Sequence, residues 1–548
     1  MKSFKIIVCI YFFIQISIVL AQGYKSKNIF SEQKLRKHIQ YLGSDIFEGR
    51  GTGSIGGELA SKYLALQLNE FGIKPFGNNN SYYQHVPMHG ISVLENSELI
   101  LLNDNKIKAL TLKEDYFVFQ TGIQTFIPNP VEMIFAGYGI TAPEFDYNDY
   151  EEIDVRGKIV VCLEGEPLST DEDYFKASVN TIYSFPESKL RIAVAQGAIG
   201  CIIIPLGYYE NIFNWDDITN EFNFETISLA YSPNTILGVL IKPSVSEYLF
   251  SGTNYNLKKI YEMHSSNHLT CFSLNCKLTF KGKFLFRDFV SPNVIGIIEG
   301  SDPELKNEYV VISAHYDHLG IGPAIKGDSI YNGVLDNAIG VAGVLELANK
   351  LNKDANEIRR SIIILFTTGE EKGLLGSNYY VDHSVVPLYK TTANINVDGL
   401  AWIDNFKSII GLGANYSDLD LFLYDVAKSS NLNIVDIPEQ FIQEESFYYS
   451  DQISFAKEGI PSILVVEGPD LISFSYEEAI NLIKDYFINR YHSPFDDLSQ
   501  KINFNSTVQH LEFIYDLILE IANSDEGPQW KSGSPFINAR LRSIAEKR

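Results

Sequence analysis

Residues 361–373 read SIIILFTTGEEKG. The apolar run Ile362–Phe366 is short and continuous, the pattern of a strand buried on both faces. Glu370 and Glu371 stand side by side just past its end. Two ionised carboxylates repel in a low dielectric, and one way to hold both is to give one to a metal and leave the other as a base. Further candidate ligands follow strand-like runs in the same way. His315 and Asp317 come after Tyr309-VVIS-Ala314, and Asp398 after Thr392-ANIN-Val397. Asp336 opens Asp336-NAI-Gly340, and His492 lies in Tyr491-HSPFD-Asp497.

Outward from this stretch, β runs alternate with helical patterns from about residue 290 onward. Asn293-VIGIIE-Gly300 and Ser462-ILVVE-Gly468 add strands, while Gly340–Leu351 and Leu419–Ser430 read as helices. Such alternation predicts an α/β fold with a mixed, mostly parallel sheet sandwiched by helices. Sites in these sheets gather at the carboxyl ends of strands, where His315, Glu370, Glu371 and Asp398 fall. Upstream, residues 31–73 are helical in pattern, with Leu35, Ile39 and Leu42 on one face and Leu59, Tyr63 and Leu66 on another. Between these helices a glycine-rich stretch, 42–57, reads as a connector. No Gly-Lys-Ser/Thr follows it as a phosphate loop requires. From about 130 to 281 the character changes: β runs such as Gly157-KIVVC-Leu163 and Ala198-IGCIII-Pro205 alternate with acidic and aromatic loops. No catalytic cluster shows there, which suggests one domain inserted into another.

The chain of 548 residues is too long for one core. Its first 21 residues read as a cleavable export signal: Lys2 and Lys5, an apolar core Ile6–Leu20, then Val19-Leu20-Ala21. The apolar core is short for a membrane span. Removing this segment takes the formal charge from -24 to about -26, which argues against a nucleic-acid partner. Cys162, Cys201, Cys271 and Cys276 would remain, too few for a disulfide scaffold. Cys271 and Cys276 have the spacing for one local bridge, and Cys162 and Cys201 sit in apolar runs as buried thiols.

Mixed imidazole and carboxylate ligands suit zinc, and a carboxylate can bridge the two ions of a two-metal hydrolase. Asp336 is the bridging candidate. Asp317, two residues from His315, is placed to accept the second N–H of that imidazole. Glu371 would bind metal, leaving Glu370 to take a proton from the attacking water. His318, His383 and His510 read as hydrogen-bonded structural residues. Tyr448 and Tyr449 are open to two readings, oxyanion stabilisers or wall residues.

His315-YDHLG, Asp336-NAIG, Thr368-GEEKGLLGS, Asn396-VDG and Tyr491-HSPFDD resemble the co-catalytic zinc exopeptidases, a family with bacterial leucyl aminopeptidases, yeast aminopeptidase Y and glutamate carboxypeptidase II. Arg156-GKIVV and Gln196-GAIGCIIIP resemble the protease-associated (PA) domain inserted in many such enzymes. The resemblance implies two Zn2+ ions. One would be held by His315, Asp398 and bridging Asp336, the other by Asp336, Glu371 and His492. Glu370 would be the general base and Asp317 the orienting carboxylate. After the export signal read at 1–21, it further implies an N-terminal segment at 22–129, a PA-like domain at 130–285 and a catalytic domain at 286–548. Ile339 stands where the family commonly has serine, and Gln452 where it commonly has histidine, which leaves substrate preference open.

The leading expectation is an exported metallo-aminopeptidase acting on peptide or protein N-termini, without stable membrane insertion once the signal is removed. A carboxypeptidase or dipeptidase would need cations for the substrate carboxylate, and Arg490 is the one close candidate. A non-catalytic protein that captures a partner through the PA-like domain is the alternative of another class.

Overall fold

The run at 361–367 is a strand, and every one of its residues is buried. The computed structural model describes residues 26–27, 29–103, 106–120, 125–171, 174–175, 181–206, 215, 223–231, 236–438, 441 and 446–546; the export signal expected at 1–21 lies outside them. In chain order the main sheet contains β1 (Lys74–Pro75), β2 (Tyr83–Val93), β3 (Thr226–Leu229), β4 (Phe284–Ile298), β5 (Tyr309–His315), β6 (Ser361–Thr367), β7 (Thr391–Asn396), β8 (Ser408–Leu412), β9 (Asn433–Ile434) and β10 (Ser462–Glu467). Their order across the sheet is β3-β2-β4-β6-β5-β7-β10-β8-β9, with β1 paired to β4. The centre, β6-β5-β7-β10, is parallel. The strands flanking this centre, β4 on β6 and β8 on β10, pair antiparallel to it.

Strict alternation of side chains sends neighbours in β6 to opposite faces. Ile362, Ile364 and Phe366 pack into one core with residues of the helices Ile339–Lys353 and Phe504–Asn523. Ile363 and Leu365 face the other layer, against Tyr380 of the helix Leu375–Asp382 and Phe455 of Gln452–Lys457. A continuous apolar run is what two covered faces demand.

The helix Glu32–Leu42 buries Leu35, Ile39 and Leu42 as expected. The helix Ile55–Glu70 does not use the expected face: Leu59 and Leu66 are exposed, and the buried side is Gly56, Gly57, Ala60, Leu64 and Leu68. Small residues let this helix approach its neighbours closely, so its buried side is not the one with the large apolar side chains Leu59 and Leu66.

A second sheet of eight strands runs Lys106–Leu110, Glu98–Asn103, Phe272–Lys281, Phe126–Phe135, Ile159–Leu163, Gly200–Ile204, Leu237–Ile241, Tyr116–Gln120. It has its own apolar cores. Its strands begin at Glu98, upstream of the expected boundary at 130, because 98–120 already alternates as sheet and pairs there. One feature crosses between the sheets. Gly200–Ile204 and Leu237–Ile241 are parallel neighbours in the second sheet, yet the connection between them contributes β3 to the edge of the main one.

All four described cysteines are free thiols, so the spacing of Cys271 and Cys276 is not realised as a bridge. Cys162 and Cys201 are buried, with their Sγ atoms 3.7 Å apart. No helix among the described residues is long and apolar enough to cross a membrane.

Candidate metal centre

His315 is the last residue of β5, and Asp398 lies two residues beyond β7. Glu370 and Glu371 occupy a 3-10 turn just past β6. Gly369, at φ 69°, makes that turn possible, since L side chains rarely adopt this conformation. Asp336 sits in the irregular turn Val334–Ala338 rather than inside a helix; the helix starts at Ile339. That turn is fixed by Asp496, whose carboxylate accepts the backbone N–H groups of Leu335 at 2.9 Å and Asp336 at 3.0 Å. His492 has φ 51°, a strained value for a non-glycine residue, and Tyr491 stacks on its ring at 3.8 Å.

These residues converge. His315 Nε2 lies 3.1 Å from Asp398 Oδ1 and 3.2 Å from Asp336 Oδ1. His492 Nε2 lies 3.1 Å from Glu371 Oε2 and 3.3 Å from Asp336 Oδ2. Each oxygen of Asp336 thus faces a different histidine, and each histidine has one further carboxylate. Ligand atoms about 2 Å from a tetrahedral zinc ion lie roughly 3.3 Å from one another, the spacing of these four histidine–carboxylate pairs; the trios whose donor atoms all lie within 4.8 Å of one another among the described residues are His315, Asp336 and Glu371, and His315, Glu370 and Asp398. The chemistry fits as well: imidazole and carboxylate are the ligands zinc takes, and burying these acids without cations is costly.

The environment separates the adjacent glutamates. Burial pushes Glu370 well above the ordinary carboxyl range; the His315 charge opposes this, and Asp398 and Glu371 add to it. Burial and the Asp336 charge push Glu371 up too, but His492 and His318 outweigh both and hold it below its ordinary value. Asp336 is likewise held low, its burial outweighed by hydrogen bonds from His315 and His492. Of the two, Glu370 is therefore the more readily protonated and Glu371 the more firmly ionised.

The Asp317 carboxylate does not accept the imidazole N–H of His315. The Asp317 backbone carbonyl faces Nδ1 at 3.2 Å, because the chain turns away after the strand. The carboxylate instead accepts the Glu370 N–H at 3.1 Å and the Thr52 hydroxyl at 2.8 Å. Burial raises it to about 6.

Four supporting residues carry more than the sequence reading gave them. His318 is buried, with Nδ1 2.5 Å from Glu371 Oε1, so it orients that carboxylate. Its signal was its place three residues after His315 in one loop. Arg50, 1% exposed, binds the carbonyls of Leu42, Tyr316, Asn332 and Gly333, tying the glycine-rich stretch to both ligand-bearing loops. Thr52 holds Asp317. Asp451 accepts a hydrogen bond from Thr367 at the end of β6, while its other oxygen is buried without a partner.

Residues 293–518 match the model of peptidase family M28. The chain is 30% identical over 181 residues to probable leucine aminopeptidase 2 of Aspergillus oryzae, covering 31% of this chain and 32% of that protein. It is 26% identical over 197 residues to the vacuolar membrane protease of Saccharomyces cerevisiae, covering 34% of this chain and 19% of that one. The chain therefore spans less than a third of the length of these curated relatives. Among solved structures, an aminopeptidase from Aneurinibacillus sp. strain AM-1 superposes with a TM-score of 0.54 at 18% identity, covering 90% of this chain and 95% of that one. That likeness speaks to the fold.

Proposed function

Given that residues 293–518 fit peptidase family M28, we propose that this protein is a two-zinc aminopeptidase. The observation that carries the reading is the Asp336 carboxylate, one oxygen towards His315 and the other towards His492, beside a glutamate that burial primes to take a proton. His315, Asp398 and Asp336 would hold one ion, and Asp336, Glu371 and His492 the other. When bound, such ions polarise the scissile carbonyl and lower the pKa of water. Glu370 accepts a proton from the attacking water and returns it to the departing amine. The backbone N–H of Glu370, held by Asp317, fixes where that carboxylate starts.

The choice of aminopeptidase over carboxypeptidase rests on charge. Arg490, the cation next to His492, faces Asp485 at 3.8 Å, and Arg287 near Thr52 is taken by Glu225. A surplus of buried carboxylates suits a substrate's α-ammonium better than its carboxylate. We assign the eight-stranded unit to the PA type on its sequence motifs, and read residues 1–21 as an export signal.

The test compares a free-amine dipeptide with its N-acetylated twin, with and without a chelator. Chelator-sensitive cleavage of the free-amine form alone is the expected result. Cleavage of the blocked form would turn the reading to a carboxypeptidase, and cleavage of neither to a binding protein.

A further inference from the structure

The connection that leaves the second sheet does more than add an edge to the main one: it runs along the turn and helix that carry Glu370. Antiparallel to β2, β3 pairs Thr226 with Ile91 and Leu229 with Met88. Just before it, the Phe224 ring lies under the Lys372 ammonium at 4.9 Å, in the turn that holds both glutamates. Along it, Ile227 and Leu229 pack with Met88 and Leu375, at the start of the following helix. Just after it, the Tyr231 hydroxyl donates to Asp382 Oδ2 at 2.8 Å, at that helix's end. The contacts thus follow the element 370–382 from one end to the other.

A polar path reaches the same turn from behind. Glu225 accepts from Arg287 through both oxygens, Nε to Oε1 at 2.9 Å and Nη2 to Oε2 at 2.6 Å. Arg287 donates to the Gly53 carbonyl at 2.7 Å. Next to Gly53, Thr52 donates to Asp317, and Asp317 holds the Glu370 N–H. Gly90 leaves the room that this carboxylate occupies, for a Cβ there would stand 2.2 Å from Glu225 Oε1.

We propose that Phe224 and Glu225, at the head of β3, are positioning residues of the second unit that set the placement of the Glu370–Lys372 turn. They act through Lys372 and through Arg287, Thr52 and Asp317. The consequence for catalysis rests on the aminopeptidase reading, whereas the physical coupling does not.

The experiment uses the full-length, zinc-loaded protein and the variants Phe224→Ala, Glu225→Gln and Glu225→Asp. Hydrogen exchange of the amides in 370–383 is followed together with kcat, KM and zinc content on a free-amine dipeptide. In Phe224→Ala and Glu225→Gln, exchange across 370–383 should rise about tenfold or more with the rest of the chain unchanged. The kcat should fall about tenfold with KM within about threefold and zinc retained, and Glu225→Asp should recover most of it. Unchanged exchange at 370–383 in both variants overturns the proposal, as does a rise spread over the whole chain, which would mark a merely stabilising contact. If one variant fails to fold, the other decides. A selective rise in exchange in a protein that cleaves no peptide would sink the aminopeptidase reading and leave the coupling standing.

Discussion

Glu370 and Glu371 share a turn but not an environment: one is pushed towards its neutral form by burial, the other is held charged by two histidines. Replacing Glu370 with glutamine keeps the shape and removes the group proposed to accept the water's proton. Turnover should fall by about 10²–10⁴, with zinc stoichiometry unchanged by elemental analysis; retained turnover would remove Glu370 from its role. His318 acts on the neighbouring carboxylate, so His318→Asn should weaken zinc retention about 10–100-fold in a chelator competition. His510 shows a different use of burial. It accepts the Ala401 N–H at 3.0 Å, and burial lowers its pKa to about 4. A depressed folded pKa means that its stabilisation is complete above the unfolded value, about 6.5, and is lost as pH falls towards 4. The loss approaches about 3 kcal/mol. Urea denaturation at a series of pH values should show a shallower slope between 6.5 and 4 in His510→Asn, which keeps an acceptor but does not titrate. Nearness to His315 in sequence was the one mark that set His318 apart from His510; the partner of each histidine is set by the fold. Asp317 was legible as a supporting carboxylate but not in its contact, because the chain's turn after β5 decides which of its oxygens meets His315.

The strands were readable because burial on both faces requires an unbroken apolar run, and Ile362–Phe366 has one. The place of His315, Glu370, Glu371 and Asp398 at or just past strand ends followed from that. Helix faces were less so: Ile55–Glu70 carries leucines all round, and only packing selects the side with Gly56, Gly57 and Ala60. The stretch 42–57 read as a connector because its work is done by one side chain, Arg50, whose partners lie far off in sequence. That element makes its own prediction. Lysine at position 50 has fewer donors and no planar fork, so buried carbonyls of the two ligand loops lose partners. Arg50→Lys should cost about 3 kcal/mol in denaturant unfolding, and a change below about 1 kcal/mol would show the guanidinium to be replaceable.

At the scale of the whole molecule, the main sheet gathers Asp336, Glu370, Glu371 and Asp398 around His315 and His492. Ions that bind only the folded chain stabilise it by mass action. Stripping zinc should therefore lower the melting temperature by about 5 °C or more, and zinc should restore it; an unchanged melting curve would argue against high-affinity ions in this site. The sequence changes character near 130 and again near 290, but the second sheet already begins at Glu98, and the main sheet takes strands from 74–93 and 226–229. The entanglement of the two sheets was not legible, for nothing local in Thr226–Leu229 says which sheet it will join.

That entanglement has a consequence for how the chain is divisible. Its second sheet looks like a module that could be cut out at 98 and 281 and the ends rejoined. Excision would also take away β3, and the main sheet would then end at β2 with the backbone groups of Met88–Ile91 bare. A bare strand border is a template for another chain. The trimmed protein would keep His315, Asp336, Glu370, Glu371, Asp398 and His492 and still tend to stick to its own copies, so the two units are separable on paper but form one solubility unit.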